Sequence, residues 1–355
     1  MKALVYETEH NKLVFKEKNK PVCGPEDMII KVEAVGICGG DLHFFTGNFQ
    51  APPSVHSEFI AGHEFAGVIS EVGDKVDPQW KVGDRVVTDN TAGACGKCPA
   101  CARGHFVNCK HRSILGLGED GGFTSYVRVP GNILRLNPNS VFHIPDTVDF
   151  AAATVLEPAA NSYRVVVQEA NVKPGETVVV YGPGPIGLMC VQIAKLAGAA
   201  KIILVGQSVG RAVRAKVGLA YGATHWLEND HGEDIPAKIL KIAGDEGVDC
   251  VIDAVGHPSI LPEALDIVKS EGIVVRAGMS DRPVAQSINM MTLKAVKVLG
   301  HMGYDTECWR NCIRLAAAGK LDLNTIVTHQ LPLEDWEKGF RMSIDNSAAK
   351  VVLIP

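Results

Sequence analysis

Residues 178–207, VVVYGPGPIGLMCVQIAKLAGAAKIILVGQ, decide the fold of the second half of the chain. An apolar run, 178–181, leads into the spacing G-x-G-x-x-G at Gly182, Gly184 and Gly187, and an amphipathic stretch follows it. A strand before such glycines and a helix after them form the context in which this spacing predicts a dinucleotide site. The first glycine permits the turn, the second lets a pyrophosphate approach the backbone, and the third lets helix and sheet pack closely. We therefore predict a phosphate-binding turn here.

The same alternation continues beyond this unit. Apolar strands at KIILVGQ, VDCVIDAVG and GIVVRAG alternate with amphipathic helices at PIGLMCVQIAKLAG, RAVRAKVGLAYG and SILPEALDIVKSEG. Such alternation is typical of βαβ units and a buried parallel sheet. Residues 159–299 are therefore predicted to form a Rossmann-type doubly wound domain, with Pro185 and Ile186 completing the cofactor turn.

The group that reads the adenosine ribose should follow the strand KIILVGQ. NAD sites usually place an Asp or Glu there, but this strand ends in Gly206 and Gln207. The missing carboxylate removes repulsion toward a 2′-phosphate, and Arg211 and Arg214 could bind one. This pattern favours NADP. The alternative is that Gln207 or Ser208 binds the plain ribose of NAD and that both arginines are solvated.

The segments before and after residues 159–299 do not show this alternation of strands and helices. Short strands closed by turn residues fill the first 150 residues, among them MIIKVEAVGIC, FAGVISEVG, DRVVTD and TSYVRVP. From about Gly300 we predict a helix near Trp309–Ala318 and a closing strand AKVVLIP, whose partners should lie in the N-terminal region. The prediction is a β-rich domain over 1–158 and a return to it over 300–355. The apolar segment INMMTLKAVKVLG is predicted as a strand that could extend the sheet across a subunit boundary.

Four cysteines lie within fifteen residues, at Cys95, Cys98, Cys101 and Cys109. Thiolates so close in sequence can enclose one tetrahedral zinc, and an all-thiolate shell leaves no open coordination position. The spacing predicts a structural zinc lobe over 95–109. Any catalytic metal must be bound elsewhere.

Length and composition set the class. A chain of 355 residues exceeds what one core usually supports, which predicts two domains. The net charge of -5 without a lysine or arginine run argues against nucleic acid and anionic membranes as partners. No apolar stretch reaches the length of a membrane span, and charge comes too early in MKALVYETEH for a secretory signal. Since the cysteines outside the metal motifs show no pairing pattern, we expect a reducing cytoplasm.

A second metal constellation is split along the sequence. It consists of Cys38 in GICGGD, His63 and Glu64 in GHEFAG, and Glu157 in LEP. Thiolate, imidazole and carboxylate are ligands that zinc accepts, and three protein ligands leave one position for water or substrate. Taken alone, each residue is ambiguous, since an isolated buried Cys or His more often fills a core.

In this order the motifs resemble the zinc-containing medium-chain dehydrogenase/reductase superfamily, in particular its polyol (sorbitol-like) and threonine dehydrogenases. The resemblance covers essentially the whole chain: GICGGD, GHEFAG, KVGDRVV, the four-cysteine lobe, LEP, GPGPIG and AAAGKLDLNTIVTHQLPLED. It implies a GroES-like catalytic domain, a Rossmann domain inserted before the C-terminal return, a cleft between them, and two zinc ions per chain. It also implies Cys38, His63 and Glu64 as catalytic zinc ligands, with Glu157 as a direct or water-mediated one.

The chemistry implied is hydride transfer between a secondary alcohol of a polyol or sugar alcohol, or its ketose, and NAD or NADP. A zinc ion in such a site acts as a Lewis acid on the substrate oxygen. An L-threonine-type amino-alcohol dehydrogenase is the alternative, although the sequence identifies no charge pair for its ammonium and carboxylate. A non-catalytic member of the superfamily is a remote third. Similar enzymes are dimers or tetramers, so a homo-oligomer is expected.

The chain departs from its relatives at two places. Related enzymes commonly carry Ser or Thr two positions after the zinc cysteine, where a hydroxyl starts a proton relay; here that residue is Gly40. His43 is the leading substitute, with a water passing the proton to Glu64 or Glu157 as the second route. Sorbitol-type enzymes often have Arg where this chain has Gly303, which leaves the identity of the polyol open.

Five further histidines lack metal-ligand spacing and are expected at the surface or in hydrogen bonds: His56, His105, His111, His143 and His329. Of these, His111 is expected beside the zinc lobe.

Overall fold

The computed structural model describes residues 1–48, 55, 58–230, 232–284 and 287–355, so His56 lies outside the described residues. They form two compact units. The first comprises Met1–Glu157, Asp305–Gly319 and Leu323–Pro355, and the second Pro158–Tyr304 and Lys320–Asp322. The units divide one residue before the predicted boundary at 158 and five residues after the predicted boundary at 299. None of the helices in the described ranges is both long and apolar enough to cross a membrane.

The first unit up to Glu157 is built from short strands and short helices. Its strands are β1 Lys2–Glu7, β2 Lys12–Glu17, β3 Met28–Gly36, β4 Phe59–Ile60, β5 Glu64–Val72, β6 Arg85–Thr88, β7 Thr91–Gly93, β8 Ser113–Leu115, β9 Gly118–Glu119, β10 Tyr126–Val129 and β11 Val141–His143. The helices are α1 Gly39–Thr46, α2 Pro99–Ala102, α3 Gly131–Leu136, α4 Phe150–Ala153 and α5 Leu156–Tyr163, with a 3-10 turn at Phe106–Asn108.

The second unit alternates strands and helices. The strands are β12 Thr177–Tyr181, β13 Lys201–Gly206, β14 His225–Glu228, β15 Val248–Asp253, β16 Val268–Arg276 and β17 Lys297–Gly300. The helices are α6 Pro185–Leu196, α7 Lys216–Ala220, α8 Ile235–Ala243, α9 Ile260–Ile267 and α10 Asn289–Leu293, with π-helical turns at Arg164–Glu169 and Arg211–Ala215 and a 3-10 turn at Ser208–Gly210.

The C-terminal return contains α11 Thr306–Ala317, β18 Val327–Pro332, a 3-10 turn at Leu333–Asp335, α12 Trp336–Ile344 and β19 Lys350–Ile354. The closing strand finds its partners where the sequence predicted them. β19 pairs antiparallel with β3 and parallel with β18, in a seven-stranded sheet of order β11-β6-β5-β3-β19-β18 with β10 on β3. Apolar side chains from both ends of the sequence thus share one core, among them Leu4, Phe123 and Phe340.

The sheet of the second unit has the order β14-β13-β12-β15-β16-β17, and all its pairings are parallel. Its central strands are apolar and buried: VVVY of β12 and IILVG of β13 are without solvent exposure along almost their whole length. Such runs bury both faces of a strand, as parallel sheets covered by helices require. The predicted Rossmann-type fold and the β-rich first domain are both confirmed.

Two predicted elements were wrong in detail. The segment 288–300 is not one strand, since α10 occupies Asn289–Leu293 and β17 begins only at Lys297. Met and Leu favour helix, and Ala295 at φ 52 ends it, so only KVLG remains extended. The helix predicted over SILPEALDIVKSEG stops at Ile267, because Val268 already pairs with Val248 in the sheet.

Candidate metal centres and cofactor turn

The three predicted catalytic ligands meet in the first unit because β3 and β5 are neighbours. Their antiparallel register pairs Gly36 with Glu64, so Cys38, two residues beyond Gly36, lies beside His63 and Glu64. One ligand atom from each of Cys38, His63 and Glu64 lies within 4.8 Å of the other two. A single cation fits such a set, and three ligands leave a fourth position of a tetrahedral zinc open.

Asp41 fixes this corner from the first turn of α1. Its Oδ2 accepts a hydrogen bond from the Cys38 backbone N at 2.9 Å, and the Cys38 sulfur accepts one from the Gly40 N at 3.4 Å. The other oxygen, Oδ1, is 3.7 Å from Nδ1 of His63. Asp41 is fully buried, which raises its pKa to about 6. The carboxyl group therefore holds the cysteine loop with one oxygen and faces the imidazole with the other.

Burial and mutual charge govern protonation of the ligands. Burial raises the pKa of the Cys38 thiol, with His63 opposing this rise. Burial would lower the pKa of His63, but Cys38 and Asp41 together raise it well above its usual range. Since metal ligands must be deprotonated, a cation entering this cluster displaces protons.

A lysine that sequence reasoning missed binds the Glu64 carboxylate. Lys350, on β19, is 2% exposed, and its Nζ donates to Glu64 Oε2 and to the Ile37 carbonyl oxygen, the latter at 2.9 Å. A buried ammonium is costly unless it is paired, so Lys350 and Glu64 depend on each other. The available signal was a lone charge inside the apolar closing strand AKVVLIP.

Glu157 is buried at the start of α5 and is held by a different network. Its Oε1 accepts from Nδ2 of Asn90 at 3.2 Å. Asn90 Oδ1 in turn accepts from Arg112, whose Nε donates to Thr91 Oγ1 at 3.1 Å. Glu157 lies outside the compact trio of Cys38, His63 and Glu64, although its charge contributes to raising the pKa of His63. Asn90 and Arg112 were not foreseen.

The four-cysteine lobe forms a second potential metal site. The sulfur atoms of Cys95, Cys98, Cys101 and Cys109 all lie within 4.8 Å of one another. Backbone NH groups point at them: Cys95 N to Cys109 Sγ at 3.4 Å, Cys101 N to Cys98 Sγ at 3.5 Å, and His111 N to Cys109 Sγ at 3.4 Å. Backbone donors lower the pKa of Cys95 to about 6, whereas burial raises that of Cys101 to about 12. Four sulfurs so arranged fit one tetrahedral zinc.

The glycine turn has the geometry that its sequence predicted. Gly182 adopts φ 99, and a Cβ on Gly187 would lie 1.8 Å from the Gly182 carbonyl oxygen, so neither position tolerates a side chain. A Cβ on Gly184 would meet nothing within 4 Å, and no side chain caps the helix α6 that follows. The helix therefore presents unsatisfied NH groups toward open space, which is the cradle that a pyrophosphate requires. Pro185 and Ile186 form its first turn, and the Ile186 carbonyl accepts from Ser162 Oγ at 2.9 Å.

The candidate ribose residues follow β13. Gln207 and Ser208 are exposed, Arg214 is half-buried in the π-helical turn, and Arg211 binds the Glu228 carboxylate through Nε and Nη2. The structure thus brings one of the two arginines into an ion pair that the sequence did not predict.

The structure gives the exposure of His43 and the backbone conformation of Gly303 but, among the described residues, no contact that assigns either a role. His43 is exposed in α1, which begins directly after Cys38. A Cβ on Gly40 would lie 3.8 Å from Cys38 Sγ, an ordinary contact, so packing does not exclude a serine there. Gly303 adopts φ 64, where glycine is favoured over the arginine of sorbitol-type enzymes. The ring of His143 contacts that of Trp80 in a tilted arrangement, and His329 hydrogen-bonds Thr328.

Comparison with known proteins gives matches along the whole chain. The family described as alcohol dehydrogenase GroES-like domain matches residues 24–139, and the family described as zinc-binding dehydrogenase matches residues 185–318. The uncharacterized zinc-type alcohol dehydrogenase-like protein YdjL of Escherichia coli (strain K12) is 41% identical, over 94% of this chain and 93% of that protein.

Two further relatives have named activities. The L-threonine 3-dehydrogenase of Bacillus velezensis is 34% identical and the sorbitol dehydrogenase of Halalkalibacterium halodurans 32% identical, each over 100% of this chain and 99% of the relative. Among solved structures, a zinc-binding dehydrogenase of Sinorhizobium meliloti bound to NADP superposes with a TM-score of 0.86 at 29% identity, over 100% of this chain and 99% of that one.

Proposed function

Since the chain belongs to the zinc-containing medium-chain dehydrogenase/reductase superfamily and is an alcohol dehydrogenase that uses zinc and a nicotinamide cofactor, we propose that it acts on polyols. The proposed reaction oxidises a secondary alcohol of a polyol or sugar alcohol, or reduces the corresponding ketose. The observation that carries the proposal is the convergence of Cys38, His63 and Glu64 within 4.8 Å of one another. The branch is favoured by Glu157 in LEP, because classical alcohol dehydrogenases have a Cys near that place.

Each residue of the first unit has a separate task in this proposal. A zinc ion held there would polarise the substrate oxygen and so lower the pKa of the alcohol. Cys38, His63 and Glu64 hold the ion, Asp41 holds the cysteine loop and offers His63 a nearby negative charge, and Lys350 compensates the charge of Glu64. Glu157, which accepts a hydrogen bond from Asn90, is proposed as a direct or water-mediated ligand. Cys95, Cys98, Cys101 and Cys109 would hold a second, structural zinc.

In the second unit the backbone binds the cofactor. Gly182, Gly184 and Gly187, with Pro185 and Ile186, receive the pyrophosphate at the N-terminus of α6. The cofactor is the hydride donor or acceptor. NADP preference stays a prediction: the absence of a carboxylate on Gly206 and Gln207 supports it, as do Arg211 and Arg214. One structural relative is described as bound to NADP.

The proton route is proposed to run through His43. The exposed position of His43 in α1 gives its imidazole access to solvent, and Gly40 supplies no hydroxyl for a relay. Replacing His43 with Ala should lower turnover and change its pH profile. Unchanged turnover and an unchanged profile would remove His43 from the mechanism and leave the route through water and Glu64 or Glu157.

A substrate panel tests the polyol assignment. Sugar alcohols and ketoses, each with NAD and NADP in the matching redox form, should give the highest kcat/KM. The L-threonine alternative is favoured by the 34% identity to a threonine dehydrogenase, yet no ammonium- and carboxylate-binding charge pair is evident in the sequence. A kcat/KM for L-threonine above that of every polyol would replace the first assignment with the second.

Assembly and location complete the proposal. β17 is the edge strand of its sheet, and the nearby side chains of Met279, Leu293 and Met302 are 81%, 76% and 52% exposed, which supports a homo-oligomer formed along this edge. All ten cysteines are free, as in proteins of a reducing cytoplasm. The assignment of 1–158, 159–299 and 300–355 as catalytic domain, cofactor domain and return belongs to the same proposal.

A further inference from the structure

The position that usually carries the ribose-reading acid is sterically closed in this protein. Gly206 ends β13, and a Cβ there would lie 2.4 Å from Cη2 of Trp226 and 2.7 Å from Cγ of Pro183. An indole and a proline ring are rigid, so no side chain fits without moving them. Pro183 belongs to the glycine turn, which places the end of β13 directly beside the cofactor cradle. Packing, rather than cofactor choice alone, accounts for the glycine.

The neighbouring strand supplies carboxylates to the same place. β14 runs parallel to β13 with Glu228 opposite Gly206, and Asn229 N donates to the Gly206 carbonyl at 2.8 Å. Two residues further on, Asp230 Oδ1 accepts from the Ser208 backbone N at 3.1 Å. The end of β13 is therefore acidic, although β13 itself contributes no acid.

Glu228 is engaged with the arginine that could bind a 2′-phosphate. Its two oxygens accept from Nε and Nη2 of Arg211, the second bond at 2.5 Å, and Oε1 also accepts from Trp226 Nε1 at 3.2 Å. These donors, Arg211 foremost, lower the pKa of Glu228, so the carboxylate is ionised at neutral pH. The ion pair occupies the Nε–Nη2 edge of the guanidinium, an edge that could otherwise bind a phosphate bidentately.

The pair is exchangeable. Arg211 is 69% exposed and Glu228 21% exposed, and ion pairs open to solvent are weak. A 2′-phosphate could therefore compete with Glu228 for Arg211, but the Arg211–Glu228 ion pair must break before Arg211 pairs with the phosphate. The 2′-hydroxyl of NAD makes no such demand.

We propose that Glu228 is a cofactor-discriminating residue: by occupying Arg211 it weakens binding of the 2′-phosphate of NADP and leaves binding of NAD unaffected. The proposal rests on the proposed placement of the dinucleotide at the glycine turn, with its adenosine ribose at the end of β13. Glu228 makes the affinity for NADP relative to that for NAD lower than Arg211 alone would give, whichever cofactor the wild type prefers.

The test uses the adenosine half of each cofactor and needs no turnover. Isothermal calorimetry on the full-length protein, at about 0.15 M ionic strength to screen distant charges, measures Kd for ADP-ribose and for 2′-phospho-ADP-ribose. The variants are E228Q, R211Q and R211Q/E228Q. E228Q keeps the acceptor for Trp226 but removes the charge. E233Q, which takes the same charge from another exposed ion pair, with Lys238, is the matched control.

In E228Q the Kd for 2′-phospho-ADP-ribose should fall about two- to fivefold, the range that release of Arg211 from an exposed ion pair gives. The Kd for ADP-ribose should stay constant, and E233Q should match the wild type. In the R211Q background E228Q should have no effect. An unchanged Kd in E228Q, or a gain that persists without Arg211, overturns the proposal. If ADP-ribose itself fails to bind the wild type, the proposed cofactor placement is what fails.

Discussion

The two cysteine-containing clusters of the first unit make an instructive comparison. The lobe draws four sulfurs from residues 95–109, and three backbone NH groups point at two of them, Cys98 and Cys109. The cluster proposed as catalytic draws a thiol from the residue before α1, an imidazole from the residue before β5 and a carboxylate from the first residue of β5. A lysine 286 residues from Glu64 completes it. One site is closed locally by the backbone; the other depends on tertiary structure and on balanced buried charge.

The difference predicts opposite consequences of disruption. A metal bound by a local lobe stabilises the fold, because the free energy of metal binding at a structural zinc site adds to the free energy of folding. A long-range cluster with an open coordination position contributes to chemistry instead. Loss of a ligand should therefore reduce stability in the first case and turnover in the second.

The largest expected effect is on turnover in C38A. Removing this ligand should lower kcat by about a thousandfold or more, because metal assistance supplies several kcal/mol of charge stabilisation. Steady-state assays and zinc analysis by mass spectrometry measure both consequences. One zinc per chain should remain. C38A that loses a zinc but keeps its turnover would show that the cluster is not catalytic.

The second effect is on stability in C101A. Without the lobe metal the thermal midpoint should fall by about 10 °C or more, since structural zinc contributes several kcal/mol to folding. Calorimetric scanning measures the shift, and molecules that remain folded should turn over nearly as the wild type does. If the thermal midpoint of C101A falls no further than that of C38A, the lobe does not contribute more to stability than the other cluster.

The charge balance of the catalytic cluster is tested by K350M. In protein stripped of the ion that Glu64 is proposed to bind, leaving this buried carboxylate without Lys350 should destabilise the fold by about 3–5 kcal/mol. The double variant K350M/E64Q removes both charges and should be more stable than K350M alone. Thermal unfolding compares the three proteins. If the double variant is the less stable of the two, the pair is not mutually dependent.

The smallest effect concerns the orientation of Glu157. N90A removes one hydrogen bond to a carboxylate, worth about 1–2 kcal/mol, so kcat/KM should fall about tenfold. T91V is the matched control, because Thr91 contacts Arg112 but is not a donor to Glu157. Equal losses in N90A and T91V would assign the effect to Arg112 or to packing rather than to Glu157.

Sequence patterns predicted the local features of this chain well. The strand, turn and helix around Gly182 follow from rules that act within a few residues, and so does the closeness of the four lobe cysteines. The ligands Cys38, His63 and Glu64 could be named only through resemblance, since their spacing alone is ambiguous. The register of β3 and β5 supplies the physical reason why they meet.

Long-range partners were the features that the sequence did not reveal. Lys350 is one charge in an apolar strand, and nothing local connects it with Glu64. Glu228 lies opposite Gly206, where the sequence pattern predicts an acid on β13 itself, because pairing of parallel strands, not sequence distance, brings the two residues together. The error over 288–300 has the same origin: an apolar run does not by itself distinguish a buried strand from a short helix.

Zinc content measured together with turnover tests the central claim most directly. The purified enzyme should contain two zinc ions per chain, and gradual removal by a chelator should abolish turnover with loss of the first ion while the fold persists. Zinc alone should restore activity. Full turnover in protein that retains only the lobe zinc would contradict the assignment of Cys38, His63 and Glu64 as the catalytic centre.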